Sequence, residues 1–237
     1  MNYKCSTFFL AAALGSALLL TSANAALVTI DSITGFSGGD SATAGDFTQL
    51  TNGNGIDKST DANDPSTWVN NGAIFQEEWY DDPLTGAANS KLGWVSFDLG
   101  SARADLETLF IFNGNWGNPL GQLSSKDINV YYSTNPTVAL PTGVGPNGTV
   151  DYDFSSGGWT SLTSTTLTQA SSSADEIDLS GISSAQYIGI ELMDFYVTSD
   201  DRLGFDEVAI TAVPEPSAFA LLAGMFGLTW VMLRRRG

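Results

Sequence analysis

The segment Trp94-Val95-Ser96-Phe97-Asp98-Leu99-Gly100 decides the fold class. Its apolar side chains at Val95, Phe97 and Leu99 occur at every second position, and the residues between them point the other way. Because successive side chains of a β-strand face opposite sides of a sheet, this period of two predicts a strand with one face toward a core.

Similar segments recur along the middle of the chain. Short runs rich in Val, Ile, Phe, Tyr and Thr are separated by clusters of Gly, Asn, Asp and Ser, which is typical of β-sandwich domains. No segment between the two termini has a helical period over three turns. The predicted strands are residues 27–30, 94–99, 106–113, 128–133, 159–162, 187–192 and 203–212. We therefore predict an all-β sandwich, in which residues 160–173 form a loop and one exposed strand.

The first 25 residues have the pattern of a signal peptide. Lys4 supplies a positive charge before the apolar run of residues 8–20, and Ala23-Asn24-Ala25 is a small-x-small cleavage site. The domain organisation that we predict is therefore a signal peptide at 1–25, a sandwich at 26–212 and a separate C-terminal segment at 213–237.

The C-terminal segment combines a short motif, an apolar run and a basic end. The apolar run of residues 218–233 is slightly shorter than the roughly 20 residues that span a bilayer. A C-terminal core helix is the alternative, but apolar side chains cover every face of the run, which suits lipid. The terminal arginines orient the C-terminus toward the cytoplasm. The motif and basic residues are Pro214, Glu215, Pro216, Arg234, Arg235 and Arg236.

This order of motif, apolar helix and arginine cluster resembles the PEP-CTERM sorting signal of Gram-negative bacteria. The resemblance implies an exported protein with a single transmembrane helix, held transiently in the inner membrane. It further implies processing by an exosortase-type enzyme and release to the cell surface or the extracellular space. A host with such a system makes exopolysaccharide, so a place in an extracellular matrix or biofilm is the expectation.

The composition excludes several kinds of chemistry. The chain has 26 Asp and Glu against 9 Lys and Arg, and its formal charge of −17 repels nucleic acid. It has no histidine, and its one cysteine, Cys5, precedes the expected mature region. A Ser-His-Asp triad, a thiol nucleophile, a disulfide framework and an ordinary zinc site are therefore excluded there. Simple solubility is the alternative explanation of the acidic charge.

The strands, taken in order, resemble the discoidin (coagulation-factor type C) branch of the galactose-binding-like jelly rolls. The matching pieces are residues 50–54, 68, 94–100, 109–113, 126–134, 158–160, 185–190 and 204–208. The resemblance implies a jelly-roll β-sandwich. Two positions depart from the family pattern: Asn52 stands where the family usually has Asp, and Gln186 where it often has Arg.

The same resemblance implies a structural Ca²⁺ between the first loop and the last strand. The positions that match the family's metal site are Asn52, Gly53, Asp57 and Glu207. Carboxylate, amide and carbonyl oxygens are the ligands that Ca²⁺ takes in proteins, and Asn can supply one. A solvated turn rich in Asp and Asn is the alternative.

Long connections at residues 35–66, 114–125 and 135–156 suit a scaffold that carries binding loops. Aromatic rings in or beside such loops can stack on the C–H faces of sugars, although a loop aromatic can also plug the end of a sandwich. The candidate glycan-binding residues are Trp68, Trp79, Tyr80 and Trp116. Trp94 and Trp159 lie at strand starts, and we expect them in the core.

Acidic pairs at residues 77–78, 81–82 and 200–201 raise the alternative of glycoside hydrolysis. That reaction needs two carboxyl groups about 5 to 10 Å apart, whereas neighbours on a strand point to opposite faces. We therefore predict a protein that is not an enzyme and that binds polysaccharide or another surface ligand. The alternatives are a purely structural biofilm-matrix or adhesion protein without glycan affinity, and a carboxylate-dependent glycosidase.

Overall fold

The structure is a computed structural model. It describes residues 25–37, 50–71, 79–81, 91–114, 124–141, 150–196 and 203–213, with helical backbone at 224, 225, 227–229, 231, 232 and 234. At residues 79–81 and 203 it describes the backbone and not the side chains.

The regular elements in the described part of the sandwich are β-strands and a short 3-10 helix at Pro65–Thr67, with 3-10 backbone also at Leu50 and Thr51. The strands are β1 (Ala26–Val28), β2 (Ser32–Phe36), β3 (Ile56–Asp57), β4 (Val69–Asn70), β5 (Trp79–Asp81), β6 (Gly93–Arg103), β7 (Leu106–Asn113), β8 (Asp127–Ser133), β9 (Thr160–Thr166), β10 (Asp175–Asp178), β11 (Ala185–Leu192) and β12 (Leu203–Ala212).

The strands form two five-stranded antiparallel sheets and a small ribbon. The first sheet has the order β1-β12-β7-β10, and β5 pairs with β12 on the same side as β1. The second sheet has the order β2-β6-β11-β8-β9, and β3 pairs with β4 in the ribbon. The predicted all-β sandwich is therefore confirmed.

The main core lies between the two sheets. Val95, Phe97 and Leu99 of β6 are buried there with Leu109 and Ile111 of β7. The alternation predicted for residues 94–100 is thus confirmed, and each fully buried side chain of this size contributes about 1.5–3 kcal/mol to folding.

Each of the seven predicted strands overlaps an observed one, and β9 is the exposed strand predicted within residues 160–173. The prediction missed five strands, because all are short and most lie at sheet edges, where little apolar surface is needed. β10, for example, has the sequence Asp-Glu-Ile-Asp, with one buried side chain at Ile177. The missed strands are β2, β3, β4, β5 and β10.

A second apolar layer covers the outer face of the second sheet. Trp94, Tyr131, Tyr152, Phe154 and Trp159 form a buried cluster of their own. The expectation that Trp94 and Trp159 are core residues is confirmed. The sequence pattern did not predict that both faces of β6 would be buried.

The described residues between 224 and 234 have helical backbone, and their large apolar side chains are exposed. Within the described residues, no helix has the length and apolarity needed to cross a membrane. Residues 1–24, the motif Pro214-Glu215-Pro216, and Arg235 and Arg236 lie outside the description. The predicted targeting roles therefore stay predictions.

Candidate functional site

Several long connections leave the sandwich at one end, which we call the loop end. It is defined by the start of β6, β8 and β12 and by the close of β7 and β11, which the strand register places side by side. Ser124 bridges to Gly204, and Ser125 bridges to Phe195, so the two sheets are joined at this end. The connections after Ser37, Gly114 and Tyr196 all depart from it.

The strand register places the backbone of one predicted aromatic residue, Trp79, at the loop end. Phe205 of β12 pairs with Trp79 of β5 on one side and with Asn113 of β7 on the other. Trp79, Phe205 and Asn113 therefore form one row across three strands. The side chains of Trp79 and Tyr80, and the whole of Trp116, lie outside the described residues, so their glycan-binding roles stay predictions.

Asn113 holds the base of the loop end. Its buried amide Nδ2 donates to the carbonyl oxygens of Ser125 (2.7 Å) and Thr168 (3.0 Å). Its Oδ1 accepts from the backbone N–H groups of Gly114 and Ser125, each at 3.0 Å. These four hydrogen bonds use both donors and both acceptor positions of the amide, which fixes both ends of the connection 114–124. No sequence pattern singled out Asn113 as a site residue.

Trp68 does not lie where the glycan prediction needs it. Its side chain is 3 % exposed and stacks on Phe112, with ring centroids 6.0 Å apart. Its indole N–H donates to the carbonyl oxygen of Asp61 at 2.8 Å. This burial corrects the prediction that Trp68 offers an exposed ring to a sugar, because the apolar surface of the ring packs inside the sandwich.

The predicted metal site contains a lysine. Glu207 is 2 % exposed, and its Oε2 accepts from the backbone N–H of Gly53 at 2.7 Å. Its Oε1 lies 3.4 Å from the ammonium nitrogen of Lys58. Burial raises the pKa of Glu207 to about 7, against the opposing effects of Lys58 and the Gly53 N–H.

The other two predicted ligands make local contacts. Asn52 Oδ1 accepts from the backbone N–H of Asn54, and Asp57 Oδ1 accepts from that of Ser59, both at 2.8 Å. The hydrogen bonds from Ser59 lower the pKa of Asp57. The structure thus brings Gly53 and Glu207 together, while these oxygens of Asn52 and Asp57 cap their own turns.

This donor set does not fit calcium as the residues stand. Ca²⁺ takes six to eight oxygen ligands, whereas Glu207 meets an ammonium group and a backbone N–H. Across the described ranges, no group of three or more His, Cys, Asp or Glu side chains is placed to hold a metal ion. Lys58 was missed as a site residue; the signal was a lone cation within the acidic run 57–64.

A groove of about 240 Å³ opens beside the Lys58–Glu207 pair. Leu27 and Ile30 from the β1 region form an apolar wall, and Thr51 and Trp68 line the side of the first loop. Solvent therefore reaches Lys58, whose side chain is partly exposed, while the Glu207 carboxylate stays buried beneath it.

A second buried ion pair lies under the aromatic layer of the second sheet. Lys91 and Glu191 are fully buried, with the Lys91 nitrogen 3.4 Å from Glu191 Oε1 and 2.8 Å from Asp151 Oδ1. The hydroxyl of Tyr131 donates to Glu191 Oε2 at 2.9 Å. Burial, followed by the Glu191 contact, raises the pKa of Tyr131. Lys91 thus gives the buried Glu191 carboxylate a countercharge, and Asp151 extends the network to the surface.

The side chains of the acidic pairs considered for hydrolysis lie outside the described part of the chain, so their catalytic role stays untested. Residues 77, 78, 82, 200 and 201 lie outside it, and Asp81 is described by its backbone alone. The buried carboxylates of Glu191 and Glu207 each face a lysine.

Solved structures similar to this chain include carbohydrate-binding modules. CBM32 of AlyQ in complex with 4,5-unsaturated mannuronic acid is 18 % identical over 78 % of this chain and 96 % of that one, with a TM-score of 0.42. A Streptococcus pneumoniae fucose binding module is 15 % identical over 80 % and 96 %, with a TM-score of 0.44. The CBM32-1 and CBM32-2 domains from Clostridium perfringens ZmpB are 13 % identical over 80 % and 38 %, with a TM-score of 0.48.

No family model matches the sequence, and no curated protein matches it either. The similarities to solved structures are too distant to establish a shared ligand.

Proposed function

We propose that this chain is an exported β-sandwich that binds polysaccharide at its loop end, without catalysis. Trp79 and Trp116 form the binding platform in this proposal. Tyr80 follows Trp79 on β5, and successive residues of a strand face opposite sides of a sheet, so Tyr80 is not part of this platform. The observation that carries it is the row Trp79–Phe205–Asn113, in which β12 lies between β5 and the end of β7. Trp116 follows Asn113 by three residues in the sequence. The proposal rests on these positions of Trp79 and Asn113 and not on the similar structures.

Chain geometry keeps these aromatic residues within reach of one ligand. Neighbouring strands are about 4.8 Å apart, so the Cα atoms of Trp79 and Asn113 are separated by roughly 10 Å. Three residues reach at most about 11 Å, which bounds the distance from Asn113 to Trp116. An oligosaccharide segment is long enough to bridge such a span.

The charge of the chain favours a neutral polysaccharide. At a formal charge of −17, the protein repels anionic polymers at low ionic strength. Stacking on aromatic rings needs no charge on the ligand, and the hydroxyl groups of a sugar bond to Asn, Asp and Ser side chains or backbone groups.

The localisation of the protein is a further part of the proposal. The signal peptide pattern at 1–25 supports export, and the motif, apolar run and arginines at 213–237 support a transient inner-membrane intermediate. An exosortase-type enzyme then processes the chain, and the sandwich works at the cell surface or in the extracellular matrix.

Pull-down of the purified chain on the exopolysaccharide of its own host tests the binding function. We expect Trp116→Ala and Trp79→Ala each to weaken binding by about tenfold, the loss of roughly 1.4 kcal/mol of stacking. Val138→Ala is the control, since this exposed side chain follows the opposite end of β8. No new reducing ends should appear in the polysaccharide.

Absence of binding by the unaltered chain would contradict the proposal and would favour the purely structural matrix or adhesion protein. Release of reducing ends, abolished in Glu77→Gln or Glu78→Gln, would instead favour the glycosidase.

A further inference from the structure

We propose that the Lys58 ammonium group takes the place of the calcium ion that the discoidin resemblance implies. In this proposal an internal cation joins the first loop to the last strand, and the site binds no metal. The inference concerns the scaffold and is independent of the proposed glycan binding.

Three contacts hold the ammonium group of Lys58. It lies 3.4 Å from Glu207 Oε1 and 3.8 Å from the centroid of the Trp68 ring. It also lies against Gly53, where a Cβ atom would be 2.6 Å from the lysine nitrogen. A carboxylate, an aromatic face and bare backbone together form a cradle for a monovalent cation.

Gly53 is suited to this cradle in two ways. Its φ of +77° lies in the left-handed region, which a side chain disfavours, and the missing Cβ leaves room for the ammonium group. Its N–H points at Glu207 Oε2 at 2.7 Å, so the loop presents a donor to the carboxylate. A divalent cation needs oxygen atoms at the corresponding position.

The Glu207 carboxylate needs a positive partner because it is buried on β12. A buried carboxylate without a countercharge or hydrogen bonds is strongly destabilising. Oε1 has Lys58 and Oε2 has the Gly53 N–H, so both oxygen atoms are already satisfied. For calcium to enter, it must displace Lys58 and turn the Gly53 peptide away.

The arrangement fastens a long loop to the sheet through one side chain. Lys58 follows β3, Trp68 precedes β4, and Glu207 lies on β12, so the ion pair and the ring contact tie the β3–β4 ribbon to the first sheet. Loops of this length are otherwise costly to order, and a resident cation orders this one without depending on the supply of metal.

Thermal melting of the full-length chain in millimolar Ca²⁺ and in chelator tests the inference. We expect the Tm of the unaltered protein to agree within roughly 1 °C in the two conditions. Lys58→Met should lower the Tm by roughly 4–8 °C in both, because it leaves Glu207 without its cation. The matched control is Lys126→Met, which removes a more exposed lysine paired with Asp194 and should lower the Tm by less than about 2 °C.

Two results would overturn the inference. One is a Tm that calcium raises in the unaltered protein but not in Glu207→Gln, since the metal would then act through this carboxylate. The other is a Lys58→Met variant that melts no lower than the Lys126→Met control. If Lys58→Met does not fold, the comparison of the unaltered chain with Glu207→Gln in calcium and chelator decides the question.

Discussion

Gly189 lies in the middle of β11, at a position where the neighbouring aromatic layer excludes any side chain. A Cβ atom there would be 2.3 Å from Cε1 and 2.8 Å from Cδ1 of Phe154. The Phe154 ring therefore lies directly on the strand backbone, with Tyr131 stacked beside it at a centroid distance of 5.3 Å. A single hydrogen atom in place of a methyl group decides whether this layer can pack.

We expect Gly189→Ala to destabilise the protein by about 2–3 kcal/mol, because the Phe154 ring must move away from a well-packed site. The measurement is the midpoint of urea unfolding. Gly181→Ala is the matched control, since a Cβ at Gly181 meets nothing within 4 Å; its effect should stay within about 0.5 kcal/mol. Equal midpoints for the two variants would contradict this reading of β11.

Among the structural elements, the connection from β8 to β9 packs on the sandwich as a strand would, although its described residues have no regular secondary structure. It lies over the outer face of the second sheet, where Trp94 Nε1 donates to the carbonyl oxygen of Val150 at 2.8 Å. Trp159 Nε1 donates to the hydroxyl of Tyr152 at 3.0 Å. The loop thereby encloses both the aromatic cluster and the Lys91–Glu191 ion pair.

Phe154→Ala tests whether this connection stabilises the sandwich. We expect a loss of about 3–5 kcal/mol in the free energy of unfolding, because the buried ring leaves a cavity among four aromatic neighbours. Amide hydrogen exchange in β8 and β11 should accelerate as the cover loosens.

The control on the same connection is Val138→Ala, whose side chain is 52 % exposed and should contribute less than about 0.5 kcal/mol. If Phe154→Ala is no more destabilised than this control, the connection is only a surface loop.

Across the whole molecule, cations are scarce and each described one in the sandwich contacts a carboxylate. Lys58 pairs with Glu207, and Lys91 with Asp151 and Glu191; the remaining pairs are Arg103 with Asp105 and Lys126 with Asp194. The chain nevertheless carries 26 acidic residues against 9 basic ones. Repulsion among the uncompensated carboxylates therefore opposes the compact state.

Added salt should stabilise this protein. The Debye length falls from about 30 Å at 0.01 M to about 3 Å at 1 M salt, so long-range repulsion is screened before close or buried ion pairs are. We expect the Tm to rise by roughly 3–6 °C between these concentrations of choline chloride, an organic salt that avoids specific metal binding. A falling Tm would mean that the surface ion pairs outweigh the repulsion.

Whether a strand could be predicted from the sequence depended on how much apolar surface that strand buries. β6, β7, β8 and β12 were predicted because their alternating apolar residues face a core. β2 and β10 were missed because an edge strand is held by backbone hydrogen bonds, which leave little trace in side-chain composition. The burial of Trp68 was not foreseen, and neither was the covering of Trp94 and Trp159 by Tyr152 and Phe154, since both depend on which distant loop covers the surface.

The sequence by itself determined the fold class and the chemistry that residues 26–213 lack. A period of two along Val95, Phe97 and Leu99 is a local property, and the lack of histidine is a matter of composition. Only the tertiary structure decided that Lys58 lies against Glu207, 149 residues away, and that Phe154 lies on Gly189. Such contacts depend on how two sheets and their loops fold back on one another, which no local pattern specifies.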